Sequence, residues 1–354
     1  MIGAFMRIGA IPENLIELLL SMTGGAPTPL LDTLQAMLRA RAIMVATKLG
    51  VFEAIKEGTA TAAEVAERIG TEAHATEKLL NSLVGARYLG FKNGRYKLAR
   101  VARKWLLKDS PQSLHDNMLH RFLEWDVVEH FEDFVRTGKP MNVHQGMTPE
   151  NWAIYQRGMR SLAGLSASEV AARLPVPASA RRMLDIGGSH GYYSVALCRR
   201  HPELHSTILD LPSAVEFARP ILARENMGER IGYRADDVLT ADLGEGEWDF
   251  VFASQLLHHF DEEANRNLLR RVARALRPGG VVAIVEIPRP SSPQSAGQTG
   301  ALLDLFFAVT SPSGSWSIEE LAEWQRLAGL LVRKPISLLS IPGGSIQAAS
   351  KPKA

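Results

Sequence analysis

In Met183-Leu184-Asp185-Ile186-Gly187-Gly188-Ser189-His190-Gly191-Tyr192-Tyr193-Ser194, a short apolar run holding one acid leads into a cluster of glycines. The pattern predicts a buried β-strand, a tight turn, and a helix from about Tyr192 to Arg200. Glycines there let a ligand lie against bare backbone, where side chains would block its approach. The next apolar run, Ser206-Thr207-Ile208-Leu209, ends in Asp210. An acid about twenty residues beyond such a turn can take a ribose diol in a doubly wound α/β sheet.

The spacing of Gly187, Gly188 and Gly191 is not the Gly-x-Gly-x-x-Gly of dinucleotide sites. It does match Asp-x-Gly-x-Gly-x-Gly, with Ser189 standing at the middle glycine. In that form the stretch resembles the first motif of S-adenosylmethionine (SAM) methyltransferases. SAM has no pyrophosphate, so such a turn need only cradle the methionine end and the sugar.

Strand and helix alternate downstream. A helix is expected over 214–225, a strand near 231–234 followed by Asp236-Asp237-Val238, and a strand over 248–253 followed by Leu256-Leu257-His258-His259-Phe260. A helix over 262–276 stops at Arg277-Pro278-Gly279-Gly280, and a strand over 281–285 ends at Glu286. Such alternation implies a mainly parallel sheet with ligands at the C-terminal strand ends, where all these polar residues fall. Pro288 to Gln298 reads as a Pro/Ser loop.

The chain has 354 residues, room for two domains at about 150 residues each. Its formal net charge of +2 does not call for nucleic acid or an anionic membrane as partner. Cys198 is the single cysteine, so no intrachain disulfide forms, and a cytoplasmic location is expected. Leu15 to Leu20 is apolar but flanked or interrupted by Glu13 and Glu17, which fits a short helix or arm packing on another surface rather than a membrane span.

Upstream of the sheet, Leu30, Leu34, Met37, Leu38, Arg41, Met44 and Val45 recur at helical spacing. Thr61-Ala62-Ala63-Glu64 predicts a capping box opening a helix over 62–69, and Thr71 is a candidate cap for the next. Asn93-Gly94 between two short apolar strands predicts a hairpin. Helices followed by such a wing make a winged helix. As a DNA reader it is poorly equipped: Glu72, Glu77, Lys78, Asn81 and Arg87 give its second helix a mixed-charge face that suits protein contact better. Helices over 113–136 and 148–173 follow, and Pro175-Val176-Pro177-Ala178-Ser179 ends them. The expected divisions are an arm over 1–28, a winged-helix dimerisation domain with linking helices over 29–175, and a Rossmann-like α/β domain over 176–354.

From about Leu31 the chain resembles the small-molecule O-methyltransferases that include caffeic acid and hydroxyneurosporene methyltransferases. The resemblance rests on Lys48 to Ile55, Thr61 to Ala66, Leu184 to Gly191, Asp210-Leu211-Pro212, Leu257-His258, Pro278-Gly279-Gly280 and Ile341-Pro342-Gly343-Gly344. It implies a homodimer, SAM as the donor, a small-molecule acceptor, and no metal. Within it, Asp185, Gly187, Gly188 and Gly191 form the donor motif, Asp210 holds the ribose hydroxyls, and Leu211 lies beside adenine. Asp237 or Asp236 meets the adenine amino group, with Val238 against the ring. A lysine that the family often carries is Ser254 here, which can still donate a hydrogen bond.

The resemblance also makes His258 the general base, oriented by Glu286, while the position of a second orienting glutamate holds Ser315. Imidazole suits proton removal near neutral pH. Trp152, Tyr155, Met159, His259, Phe306, Phe307 and Trp316 are candidate acceptor walls, favouring a hydrophobic or planar hydroxyl compound. A thiol or amine acceptor on the same fold, and a SAM-binding regulator without turnover, are the other readings.

Overall fold

The computed structural model describes Gly9, Ile11, Pro12 and residues 14–144, 146–311 and 313–353. Residues 1–8, Ala10 and Glu13 of the expected arm lie outside them. The chain forms two compact units that part between Phe122 and Leu123.

In the first unit, Asn14 caps the helix Leu15–Thr23 by accepting from the Glu17 amide, and Gly24 ends it with φ 73°. This helix buries none of its residues: Leu15 is 71% exposed and Met22 76%. Helical chain then continues from Thr28 to Leu49 through a π-helical stretch, Leu31–Gln35. It exposes Leu30, Leu34, Met37 and Leu38 and buries Ile43, Met44 and Ala46. The capping box forms on the helix Ala62–Ile69, with the Glu64 amide donating to Thr61 Oγ1 and the Thr61 amide to Glu64 Oε2.

The helix Ala73–Gly85 is capped by Glu72 rather than Thr71. A carboxylate accepting from the His74 and Ala75 amides makes the stronger, charge-assisted cap, and the Thr71 hydroxyl bonds Thr76 instead. Strands β1 (Thr59–Ala60), β2 (Leu89–Lys92) and β3 (Arg95–Leu98) form an antiparallel sheet in the order β1-β3-β2. Asn93 and Gly94 turn the hairpin with φ 51° and 73°, as a two-residue primed turn requires. Phe52, Ile55, Leu80, Leu83 and Tyr96 fill the core beneath it.

The second unit is built on one mixed sheet. Its strands are β4 (Arg182–Ile186), β5 (His205–Asp210), β6 (Ile231–Ala235), β7 (Trp248–Ser254), β8 (Leu276–Glu286), β9 (Leu331–Val332), β10 (Ile336–Ser337) and β11 (Ser345–Ser350). The order is β10-β11-β8-β7-β4-β5-β6, with β9 also on β11. Strands β4 to β8 pair in parallel, and the closing hairpin adds β11 antiparallel to β8. Alternate residues enter two cores: Phe250 and Phe252 pack with Val195 and Val170, Val251 and Ala253 with Leu268, Val272 and Trp324. Burial on both faces explains why these strands read as continuous apolar runs.

Three boundaries differ from expectation. The helix Pro149–Arg173 belongs to the second unit, because Val170, Ala171 and Leu174 share a core with Met183 and Phe250. Strand β8 starts at Leu276, upstream of the prolyl-glycyl turn, and its register on β7 shifts between Trp248 and Phe250. The Pro/Ser stretch is helical from Pro293, where the Ser292 hydroxyl accepts from the Ser295 amide. Gly297, at φ 60° and ψ −178°, breaks that segment before it runs on to Thr310. Among the described residues no helix is long and apolar enough to cross a membrane.

Candidate donor and acceptor site

At the C-terminal ends of β4 to β7 lies a cavity of ≈ 380 Å³. The turn after β4 forms one wall. Gly187 has φ 65°, and a Cβ there would lie 2.7 Å from Leu256 Cδ1, so only glycine leaves this backbone open. Gly188 and Gly191 serve a different end: added Cβ atoms would meet Asp185 Cγ at 2.6 Å and Ile208 Cδ1 at 2.8 Å. Their bareness seats the turn on the sheet. Asp185 points inward, accepts from the Ser194 hydroxyl, and is pushed up to about 7 by burial. Gly187 lines the cavity; Asp185, Gly188 and Gly191 do not.

Asp210, at the end of β5, lines the next wall. Its Oδ2 accepts from the Ser189 amide at 2.7 Å and its Oδ1 from the Leu211 amide at 2.8 Å. Burial raises its pKa to about 6 against the pull of those two bonds. Leu211, Asp236, Asp237 and Val238 complete this side. The carboxylate of Asp236 is occupied on both oxygens, by Arg234 Nη2 and by the Asp237 amide. Asp237 spends only Oδ1, on the Leu239 amide, which leaves Oδ2 without a partner among the described residues.

After β7 the chain makes a short 3₁₀ turn, Leu257–His259. Glu286 at the end of β8 organises it: Oε1 accepts from the Leu256 and Leu257 amides at 2.9 and 2.8 Å, and Oε2 lies 2.9 Å from His258 Nδ1. His258 is 4% exposed, and its Nε2 has no hydrogen-bond partner among the described residues. Its ring packs 4.6 Å from that of Phe307 and 4.2 Å from that of His259. His259, not His258, lines the cavity.

Trp152, Tyr155 and His259 surround His144, whose ring stacks on Trp152 and meets His259 edge-on at 4.8 Å. Burial lowers His144 to about 4 and His259 well below its usual value, so both are neutral imidazoles. Met159, Phe306, Phe307 and Ser254 stay off the cavity wall. Trp316 also stays off it: its Nε1 donates to Leu257 O, bracing the 3₁₀ turn, while its ring meets Trp324 edge-on. The cavity wall also includes Asn142, His144, Gln156, Ser189, Thr310 and Ser311, none of which the sequence marks as a site residue. Ser189 alone left a signal, as a departure from the glycine motif.

Comparison with known proteins places this geometry. Residues 126–330 match the O-methyltransferase domain model and residues 31–108 the O-methyltransferase dimerisation domain model. The 3-hydroxy-5-methyl-1-naphthoate 3-O-methyltransferase of Streptomyces sahachiroi is 30% identical, over 86% of this chain and 89% of that one. Human N-acetylserotonin methyltransferase, solved in complex with SAM, superposes with a TM-score of 0.79 at 18% identity, covering 98% of this chain and all of that one, 100%. PigF with SAH, a methyltransferase of a Serratia strain, gives 0.78 at 25% identity over 96% and 100%.

The chain belongs to the O-methyltransferase family, whose members take their methyl group from SAM. The residues fit that donor: a bare turn at Gly187, a carboxylate with lone pairs to spare at Asp210, and an unpaired Gln156 Nε2 at the same wall.

Proposed function

We propose that this chain transfers the methyl group of SAM to a hydroxyl of a small, aromatic or hydrophobic acceptor. The observation that carries it is the arrangement at the strand ends: Asp210 on the cavity wall at the end of β5, and the Glu286–His258 pair after β8 and β7, packed behind the cavity-lining His259. Asp210 accepts the ribose hydroxyls, Asp237 Oδ2 takes the adenine amino group, and Val238 packs on the ring. Asp237 is preferred over Asp236 because only Asp237 has an uncommitted oxygen.

Bound SAM supplies a methyl already activated by its sulfonium, so the chain's remaining work is alignment and proton removal. His258 is proposed as the base. Glu286 fixes its Nδ1, leaving Nε2 as the atom that receives the acceptor's proton. Trp152, Tyr155 and the neutral His144 and His259 form the acceptor end, suited to a planar ring carrying polar substituents. The naphthoate enzyme from Streptomyces sahachiroi, with its ring hydroxyl acceptor, supports this acceptor class.

The match of residues 31–108 to a dimerisation domain, with the exposed leucines of the preceding helices, supports a homodimer. The single, buried Cys198 suits a reducing compartment, and the reading places the chain in the cytoplasm. A panel of phenols, thiols and amines incubated with methyl-labelled SAM tests the function: label on a phenolic oxygen is expected. Label only on sulfur or nitrogen would overturn the choice of acceptor.

A further inference from the structure

Gln156 sits wholly buried on the helix Pro149–Arg173 and lines the cavity. Its Oε1 accepts from the Ser189 hydroxyl at 2.7 Å. Its Nε2 is buried with no hydrogen-bond partner among the described residues. A buried amide donor left unpaired is costly enough to call for an occupant. Ser189 is the residue at the middle glycine of the turn, so the hydroxyl that breaks the motif is the one that holds this amide. The same Ser189 gives its backbone amide to Asp210, and its carbonyl accepts from the Tyr233 hydroxyl at 2.9 Å. The clasp is therefore anchored on β5 and β6.

The order of the sheet decides what the free amide faces. Asp237 follows β6, Asp210 ends β5, and Gly187 to Ser189 follow β4. A donor with adenine at the first and ribose at the second brings its amino-acid end to the third, where Gln156 waits. Ser254, the other polar residue the sequence offered for that end, stays off the wall. We infer that Gln156, oriented by Ser189, binds the methionine carboxylate of SAM through Nε2–H. This rests on the donor reading of Asp210.

The test compares two ligands by calorimetric titration: S-adenosylhomocysteine, which keeps the amino-acid end, and 5′-methylthioadenosine, which lacks it. Gln156→Met should weaken S-adenosylhomocysteine on the order of tenfold, the scale of a hydrogen bond to a charged group, and leave methylthioadenosine unchanged. Ser189→Gly frees the amide and should weaken the same ligand selectively, by less. It keeps Gln156 in the core and so serves even if Gln156→Met fails to fold. Equal loss on both ligands, or no loss on either, would overturn the role of Gln156. Asp210→Asn separates the underlying reading: it should weaken both ligands, and if it weakens neither, the donor assignment itself fails.

Discussion

In the proposed donor site Asp210 faces two demands that conflict. It accepts the amides of Ser189 and Leu211, which favour its charged form, yet its burial lifts its pKa to about 6. The ribose hydroxyls need the carboxylate as acceptor. SAM affinity should therefore hold above pH 6 and fall as pH drops through that value, because the donor must then displace a proton. Titration calorimetry at a series of pH values checks this, and a flat profile would remove Asp210 from the site. At neutral pH, Asp210→Ala should cost SAM binding about 1.5–3 kcal/mol.

His258→Ala should cut turnover at least about a hundredfold while leaving SAM affinity within a factor of a few. The same change at His259, which lines the cavity, should act mainly on the acceptor's KM. The reverse assignment of the two effects would move the base to His259. Asp210 and His258 are readable from sequence because an acid or imidazole at a fixed distance past an apolar run falls on a strand end. Gln156 and His144 are not: Gln156 is one polar residue inside a helix, and His144 sits between helices where no periodicity constrains it.

At the scale of elements, the turn after β4 depends on the lack of side chains more than on any bond. Gly188→Ala would press a methyl to within 2.6 Å of Asp185 Cγ and 2.7 Å of Ile208 Cγ2, both in the strand layer. The expected cost is about 1–3 kcal/mol of stability, read by urea denaturation, with SAM binding lost together with packing. A variant as stable as the parent would show that the turn has slack. Strands β4, β5 and β7 are legible because their burial inside the sheet enforces apolar runs of the right length. The missed features are local contests that patterning does not weigh. Glu72 outcompetes Thr71 for the cap, and Ser292 starts a helix inside a segment rich in residues that usually break one. Trp316 looks like a pocket wall by type, but its indole is spent on Leu257 O.

For the whole molecule, the helix Leu15–Thr23 has an apolar surface that its own chain leaves uncovered, and Leu30, Leu34, Met37 and Leu38 continue the exposure. The chain should be a dimer at micromolar concentration by light scattering, and replacing Leu34 and Leu38 with lysine should shift it toward monomer. A parent protein that scatters as a monomer would refute the assembly. The cavity itself has a divided origin. Gly187, Asp210, Asp237 and Val238 stand in or beside turns rooted in core strands, whereas Asn142, His144, Thr310 and Ser311 come from segments outside the sheet. Under selection the two halves answer to different constraints. On the proposed reading, changes in the first would disturb the packing of the sheet, while changes in the second, at Asn142 and His144 above all, would alter which molecule is accepted. On that reading a lineage of such enzymes keeps one methyl donor through long divergence and still moves from acceptor to acceptor, and substitution at Asn142 and His144, outside the sheet, is the route to doing the same at the bench.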